Sequence, residues 1–331
     1  MAELVCHLII ACGGMLLFLT CDNLAGRTLA MLVSACGCVG VGTNTHTSSH
    51  YAASNKRWVN ELLTYFGHPL FLQLSATYWR HKHVVIHHAA PNVFGIDNDI
   101  NYLPWFALTQ REIDGSSRRW QCYYRVQWLV VPLAIAANGC NVLAYGWSHV
   151  IRMLGNPQQR QASHWIDLWM LLLHWVVWVG IPLAFFPATD VMTFYVLRLG
   201  VLGYAFFFIL APAHFPAEAV CTEASKRRTD FILRQTATTV NFHAGCIGRF
   251  LCSGLDRQIE HHLFPGVSHV FYPKMSPVVK EFCRQYGYPY RTLGWGEAIW
   301  KSFVVFRRPK SVAPCLQGFR HRPGASEIYR P

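Results

Sequence analysis

The sequence predicts an all-α integral membrane protein with two transmembrane helical hairpins, which make four spans, an interfacial helix and a cytoplasmic helical cap. The chain of 331 residues is 52% hydrophobic and 14% charged, which is too apolar for an ordinary soluble domain of this length. Its formal net charge is +12, and the Lys and Arg residues lie between the apolar stretches, as they do in cytoplasmic loops. This placement favours a membrane topology and argues against nucleic-acid binding.

The four spans are expected in two pairs. Apolar stretches at residues 4–20 and 26–43 form the first hairpin, with interfacial ends that extend each towards the roughly 20 residues of a spanning helix. Residues 165–187 and 191–215 form the second hairpin. One basic segment precedes the apolar stretches of the second half of the chain, and another follows them. The positive-inside rule places both basic segments on the cytoplasmic side. The number of crossings between them is therefore even.

A further apolar stretch at residues 126–148 is expected to be interfacial or re-entrant, because a third span would break that even number. Four residues interrupt it: Pro132, Asn138, Gly139 and Asn141. One membrane domain is expected over residues 1–308, and residues 309–331 are expected to form a loosely ordered basic tail.

Three groups of side chains in the cap have metal-ligand spacing. They are His46 and His50, then His83, His87 and His88, and finally Gln258, His261 and His262. Residues four apart lie on one face of a helix, and the third group falls within an arc of roughly 100°. Neutral imidazole is a common iron ligand, and seven or more converging side chains exceed what one ion accepts. The cap is therefore expected to hold a site for two metal ions.

Zinc is the main rival metal. A zinc hydrolase needs about three protein ligands and one open position, so the surplus of histidines argues against it. A zinc-dependent membrane lipid hydrolase stays as the alternative from another class. The remaining histidines are not expected to bind metal: His7, His149 and His174 lie in or beside apolar stretches, and loop or surface positions are expected for His68, His164, His243, His269 and His321.

The histidine motifs resemble those of the membrane fatty acid desaturases, particularly the front-end and related bacterial branches. The matching residues are HTSSH at 46–50, Trp79 with KHVVIHHAAPN at 82–92, and QIEHHLFP at 258–265. The third motif is the most specific, because front-end desaturases replace the first histidine of this box with glutamine, here Gln258. The similarity extends from about Gly42 to Trp300 and includes Thr238 to Asn241.

The resemblance implies which residues bind the metals. The implied iron ligands are His46, His50, His83, His87, His88, His214, His261 and His262, with Gln258 at or near the metals. His214 enters this set because the family takes a histidine from its last transmembrane helix. Carboxylates expected to orient the ligands are Asp97, Asp256, Glu260 and Glu218, the last one helical turn beyond His214, with Asp99 as a further source.

The sequence departs from the family pattern at two positions. Thr47 stands where the first box usually carries an aspartate. The second box has three residues, rather than the commoner two, between its first histidine and the histidine pair. His81 is therefore the local alternative to His83.

The implied activity is that of an O2-dependent fatty acyl desaturase. Two irons would perform the hydrogen removal with O2 as co-substrate, and no separate acid or base is expected. The acyl chain would lie in an apolar tunnel between the hairpins, on a phospholipid, coenzyme A or acyl carrier protein at the basic cytoplasmic face. The sequence contains no HPGG heme motif of a fused cytochrome b5 and nothing like a flavin or nicotinamide site, so a separate ferredoxin or cytochrome b5 is expected as electron donor. Hydroxylation, ketolation or conversion of an alkene to an alkyne on the same scaffold are the nearest alternatives.

Overall fold

The computed structural model describes residues 2–224 and 230–320, and it is mostly helical. The α-helices are α1 (Ala2–Thr20), α2 (Leu24–Ser49), α3 (Arg57–Tyr65), α4 (Ala76–Trp79), α5 (Gln110–Asp114), α6 (Arg118–Tyr124), α7 (Gln127–Gly155), α8 (Ala162–Trp175), α9 (Ile181–Leu183), α10 (Ala188–His214), α11 (Phe231–Thr238), α12 (Gly245–Cys252), α13 (Gln258–Leu263), α14 (Tyr272–Tyr286) and α15 (Trp295–Val304). Three π-helical segments lie between them, at Phe66–Phe71, Arg80–His87 and Val176–Gly180. Four short strands are β1 (Cys221–Thr222), β2 (Asn241–His243), β3 (Thr292–Gly294) and β4 (Val312–Ala313).

Five helices are long and apolar enough to cross a membrane: Ala2–Thr20, Leu24–Ser49, Gln127–Gly155, Ala162–Leu183 and Ala188–His214. The chain divides into two compact units, and each is described by itself. Unit 1 consists of Met1–Val84, Pro132–Ile209 and Cys246–Ser253, and unit 2 consists of Val85–Val131, Leu210–Gly245 and Gly254–Pro331, within the described residues.

In unit 1, α1 and α2 form the first expected hairpin and pack at very short range. A Cβ atom added to Gly37 would lie 2.2 Å from the Ala11 backbone nitrogen, so the absence of a side chain permits this approach. The Ser34 hydroxyl also donates to the Ala11 carbonyl at 2.7 Å. An ion pair at 2.9 Å joins Arg27, near the start of α2, to Asp190, near the start of α10.

The stretch expected to be interrupted is one continuous helix. α7 runs for 29 residues from Gln127 to Gly155. Gly139 does not break it, because the glycine serves packing: a Cβ atom there would lie 2.3 Å from the Leu199 carbonyl oxygen of α10. The Pro132 carbonyl accepts a hydrogen bond from the Tyr204 hydroxyl at 2.8 Å. The four residues therefore do not break the helix, and its interfacial or re-entrant placement stays a prediction.

Buried polar side chains in unit 1 form hydrogen bonds with the backbone carbonyls at the end of the first π-helical segment. The Leu70 carbonyl contacts His174 Nδ1 at 2.7 Å and Trp178 Nε1 at 2.9 Å, and Arg198 donates to the Phe71 carbonyl. The last carbonyls of a helix have no partner within it, and buried ones need partners from elsewhere in the protein. His174 therefore has a structural role, and its second ring nitrogen contacts the Tyr195 hydroxyl at 3.0 Å.

In unit 2, β1 pairs with β4 and β2 pairs with β3, both in parallel register. The first pair includes residues assigned from the sequence to the basic tail. Leu316 is buried in an apolar cluster with Val220 and Leu233, and Lys310 is buried as well. Lys310, β4 and Leu316 thus pack against the unit, although the sequence assigned them to a loosely ordered tail. The rest of that tail, His321 and Lys226 to Arg228 lie outside the described residues.

Candidate metal centre

The first histidine cluster lies in unit 1 and consists of His46, His50 and His83. α2 continues through His46 as far as Ser49, so His46 and His50 lie four residues apart at its end, on one face. His46 Nε2 lies 2.8 Å from His83 Nε2, and the ring centroid of His50 lies 4.9 Å from that of His46. One ligand atom from each of the three lies within 4.8 Å of the others. All three imidazoles are at most 9% exposed.

Trp79 packs against the first histidine cluster. Its ring stacks on His83 with centroids 4.2 Å apart and an interplanar angle of 16°, and it meets His46 edge-on at 5.7 Å. The indole nitrogen donates to Ser49 Oγ at 3.4 Å. His68 was expected at a loop or surface position but is buried in the π-helical segment Phe66–Phe71, and its ring contacts this indole with centroids 5.5 Å apart. Burial lowers the pKa of His68 to about 4, so its ring is neutral.

The second histidine box lies on a π-helix, Arg80–His87, rather than on the α-helix that the spacing argument assumed. In a π-helix the hydrogen bonds run from i to i+5, and such segments occur frequently at functional sites. His83 is buried in the first histidine cluster, whereas His81 is exposed, so the structure favours His83 over its alternative.

The second histidine cluster lies in unit 2 and consists of five buried imidazoles from three separated stretches of the chain: His87, His88, His214, His261 and His262. Ligand atoms of His87, His214 and His262 lie within 4.8 Å of one another. His88 stacks on His262 with centroids 4.3 Å apart and meets His261 at 4.7 Å. α13 supplies His261 and His262, and the end of α10 supplies His214.

Polar side chains contact individual ring nitrogens of the second histidine cluster. Asp97 Oδ2 lies 2.9 Å from His87 Nδ1, and Asp99 Oδ2 lies 3.4 Å from the same atom. Gln235 Oε1 lies 3.0 Å from His262 Nδ1. A carbonyl or carboxylate oxygen at Nδ1 fixes the proton there and leaves Nε2 with its lone pair for a metal.

Gln258 lies beside the second histidine cluster, where the sequence expects it. Its side-chain amide nitrogen is 3.0 Å from His214 Nε2. Tyr272 lies on the far side of the cluster, with its hydroxyl 3.4 Å from His261 Nδ1. Burial raises the pKa of Tyr272 well above its usual range, so this hydroxyl stays protonated.

These residues suit a metal ion. His262 Nε2 is buried and has no hydrogen-bond partner within the described residues. An unpaired buried ring nitrogen is costly unless something else binds it. Burial and the neighbouring charge of His88 hold the pKa of His262 well below its ordinary value, which keeps the ring in the neutral form that ligates metals. Metal binding by either cluster stays a prediction.

Two of the carboxylates expected to orient ligands have other partners. Glu260 accepts hydrogen bonds from Asn241 Nδ2 at 2.9 Å and from the Tyr290 hydroxyl at 2.6 Å. Glu218 pairs with Lys301. It does not lie one helical turn beyond His214, because α10 ends at that histidine. Asp256 is buried in the loop before α13 and its backbone carbonyl accepts from the Phe242 amide, so its expected role stays a prediction.

The sequence reasoning missed three polar residues that support the second histidine cluster. Gln235 contacts His262 and also donates to the His88 carbonyl at 3.0 Å. Asn92 donates from its backbone amide to Asp97 Oδ2 at 2.8 Å and from its side chain to the His214 carbonyl at 2.9 Å. Lys310 donates to the same carbonyl at 2.6 Å. Asn92 is the last residue of the second histidine motif, so its position in the sequence could have indicated a role at the site. Gln235 and Lys310 lie far from any motif.

The other histidines have local partners. His7 is buried and stacks on Phe250 with centroids 4.0 Å apart. His149 contacts Tyr78 and His164 through ring packing. His243 is exposed, and His269 is partly exposed. No group of three or more metal-binding side chains in the described residues includes any of these histidines.

Comparison with known proteins identifies the family. The model for the family described as "Fatty acid desaturase" matches residues 23–294. Similar curated proteins include the Delta(5) fatty acid desaturase fat-4 of Caenorhabditis elegans, 28% identical over 83% of this chain and 62% of its own length. The sn-1 linoleoyl-lipid 6-desaturase of Arthrospira platensis is 28% identical over 81% of this chain and 74% of its own length. Fatty acid desaturase 3 of Homo sapiens is 26% identical over 74% of this chain and 53% of its own length.

The chain belongs to the fatty acid desaturase family, which confirms the resemblance found in its histidine motifs. It spans only part of the length of these relatives, about half of the human one.

Proposed function

We propose that this chain is an O2-dependent fatty acyl desaturase, an oxidoreductase that introduces a double bond into a lipid acyl chain. The observation that supports this most strongly is the second histidine cluster, in which three buried imidazoles bring ligand atoms within 4.8 Å and two of them have Nδ1 fixed by an oxygen. Relatives named as acyl-lipid and fatty acid desaturases support the same reaction.

We propose that each histidine cluster binds one iron. When bound, the two irons supply the activation of O2 and the removal of two hydrogens from adjacent methylenes, which no side chain can perform. The overall reaction converts a saturated carbon pair, O2, two electrons and two protons into an alkene and two waters. Gln258 would lie at or beside a metal, since its amide contacts the His214 ring.

The residues of the chain contribute orientation and exclusion of water. Asp97 and Gln235 hold protons at Nδ1 of His87 and His262, so that the opposite nitrogens keep their lone pairs available. Burial of all eight imidazoles keeps bulk water from the site, which protects a reactive centre from side reactions. The ring packing of Trp79 serves the same purpose at the first histidine cluster.

We also propose the membrane arrangement that the sequence predicts. Four spans and an interfacial α7 would leave the histidine-bearing segments on the cytoplasmic side as a helical cap, in one membrane domain. A net charge of +12 supports a basic face for the headgroup of an acyl carrier, whether phospholipid, coenzyme A or acyl carrier protein. The same charge suits an acidic ferredoxin or cytochrome b5 as the separate electron donor.

Lipid analysis of a host that expresses the chain tests the proposal. We expect a new fatty acid two mass units lighter than its precursor, and its absence when His261 and His262 are both replaced by alanine. A product that gains oxygen would assign a hydroxylase or ketolase, and a triple bond would assign conversion of an alkene to an alkyne. Release of free fatty acid with no change in unsaturation would assign the zinc-dependent hydrolase instead.

A further inference from the structure

The last carbonyl of α10 belongs to His214, and two side chains from distant parts of unit 2 donate hydrogen bonds to it. Asn92 Nδ2 lies 2.9 Å from this oxygen, and Lys310 Nζ lies 2.6 Å from it. The same two side chains reach the Ala219 carbonyl, at 3.3 Å and 2.6 Å. Asn92 also donates to the Thr238 carbonyl at 3.1 Å. The turn that follows α10 is therefore bound at both of its ends.

Lys310 is held in place by its own backbone. Its amide donates to the Leu108 carbonyl at 2.9 Å, and its carbonyl accepts from the Gln110 amide at 2.8 Å. Two residues further on, β4 pairs with β1, which begins at Cys221 just after the turn. These backbone hydrogen bonds hold Lys310 in a position from which its ammonium group reaches the end of α10. The residue is only 8% exposed.

A lysine is electrostatically favourable at the C-terminal end of a helix. The final carbonyls of a helix have no partner within it and carry the negative end of the helix dipole, so a cation is favourable there. Burial of the ammonium makes the contact less screened by water than it would be on the surface. The helix end that it stabilises carries the His214 imidazole, whose Nε2 lies 3.0 Å from the Gln258 amide nitrogen in the second histidine cluster.

We infer that Lys310 is a positioning residue for the second histidine cluster: its ammonium group fixes the end of α10 and thereby the direction of the His214 ring. The segment from Pro309 to Ala313 is then part of the metal centre, although its sequence contains no ligand. The inference depends on one part of the proposed function, namely that the second histidine cluster binds a metal.

The test uses the full chain in detergent or nanodiscs, stripped of metal and titrated with Co²⁺, whose visible absorption reports the ligand geometry. We expect Lys310→Met to bind about 10-fold more weakly than the wild type at one of the two sites, with a changed spectrum, as loss of an orienting partner typically does. Lys310→Arg, which keeps the cation, should restore most of the affinity. Lys280→Met, an exposed lysine of α14, removes the same charge and should bind like the wild type.

Two results would overturn the inference: Lys310→Met with wild-type affinity and spectrum, or equal loss in Lys310→Met and Lys310→Arg while both stay folded. Hydrogen exchange of the metal-free protein provides an independent measurement. We expect faster exchange in Lys310→Met at the end of α10 and in the turn after it, with other helices unchanged. If the wild type binds no Co²⁺, the proposed function fails, and the exchange data alone then decide whether Lys310 fixes this helix end.

Discussion

The two histidine clusters are built differently. In the first histidine cluster, the rings lie against one another and against the indole of Trp79, and two of the three imidazoles come from the end of one continuous helix. In the second histidine cluster, an amide, a carboxylate or a hydroxyl contacts a ring nitrogen of four of the five histidines. Ring packing occurs in both clusters, and in the second cluster polar side chains also contact individual ring nitrogens. The second should respond to changes of charge, and the first to changes of ring volume.

The largest effect is expected from removing a ligand of the second histidine cluster. His262→Ala should abolish the desaturated product and reduce iron from about two to about one per chain, because this imidazole is one of the three whose ligand atoms lie within 4.8 Å of one another. Metal analysis and lipid profiling measure both quantities. His243→Ala, an exposed histidine close to the same box, should leave both unchanged. Unaltered iron and product in His262→Ala would remove this residue from the ligand set.

A smaller effect is expected from Asp97→Asn, which keeps the shape of the side chain and removes its charge. The carboxylate no longer holds the proton on His87 Nδ1, so affinity for iron at the second histidine cluster should fall by about 10- to 100-fold. Competition with a chelator measures this. Asp114→Asn, an exposed carboxylate that contacts Gln110, is the matched control. Equal affinities in Asp97→Asn and the wild type would show that the two clusters do not differ in the way described.

Ring volume is expected to matter at the first histidine cluster. Trp79→Ala removes the surface on which His83 stacks and should reduce product several-fold, whereas Trp79→Phe keeps an aromatic face and should recover most of it. Turnover in membranes with a supplied electron donor provides the measurement. Trp300→Ala changes an exposed tryptophan and serves as the control. A Trp79→Phe variant as impaired as Trp79→Ala would point to the indole N–H rather than to packing.

The smallest effect on metal content is expected from Glu260→Gln, although this residue precedes His261. Its carboxylate contacts Asn241 and Tyr290, so the change weakens charged hydrogen bonds by about 1 kcal/mol of stability without touching an imidazole. Thermal unfolding should shift slightly and iron should stay at about two per chain. Loss of iron in this variant would return Glu260 to the orienting role that the sequence suggested.

Local spacing made part of the site predictable. His46 with His50, and Gln258 with His261 and His262, follow from the periodicity of a helix, and the structure places each set on one helix end or on one short helix. The family resemblance supplied His214, which no spacing argument reaches.

Contacts between distant residues were not predictable. Lys310 and His214 are 96 positions apart, and nothing in a basic C-terminal stretch indicates a buried ammonium group. The packing role of Gly139 against Leu199 was not predictable either, because a glycine that permits helix packing looks the same in sequence as one that interrupts an apolar stretch. Glu218 was misplaced because α10 ends before Phe215, the residue that precedes Pro216, where helical backbone is disfavoured.

The central claim is that two groups of imidazoles bind a pair of irons, and the metal content of the purified wild-type chain tests it most directly. Elemental analysis after expression with iron and zinc both available should find about two irons per chain and little zinc. One zinc per chain with no iron would contradict the account.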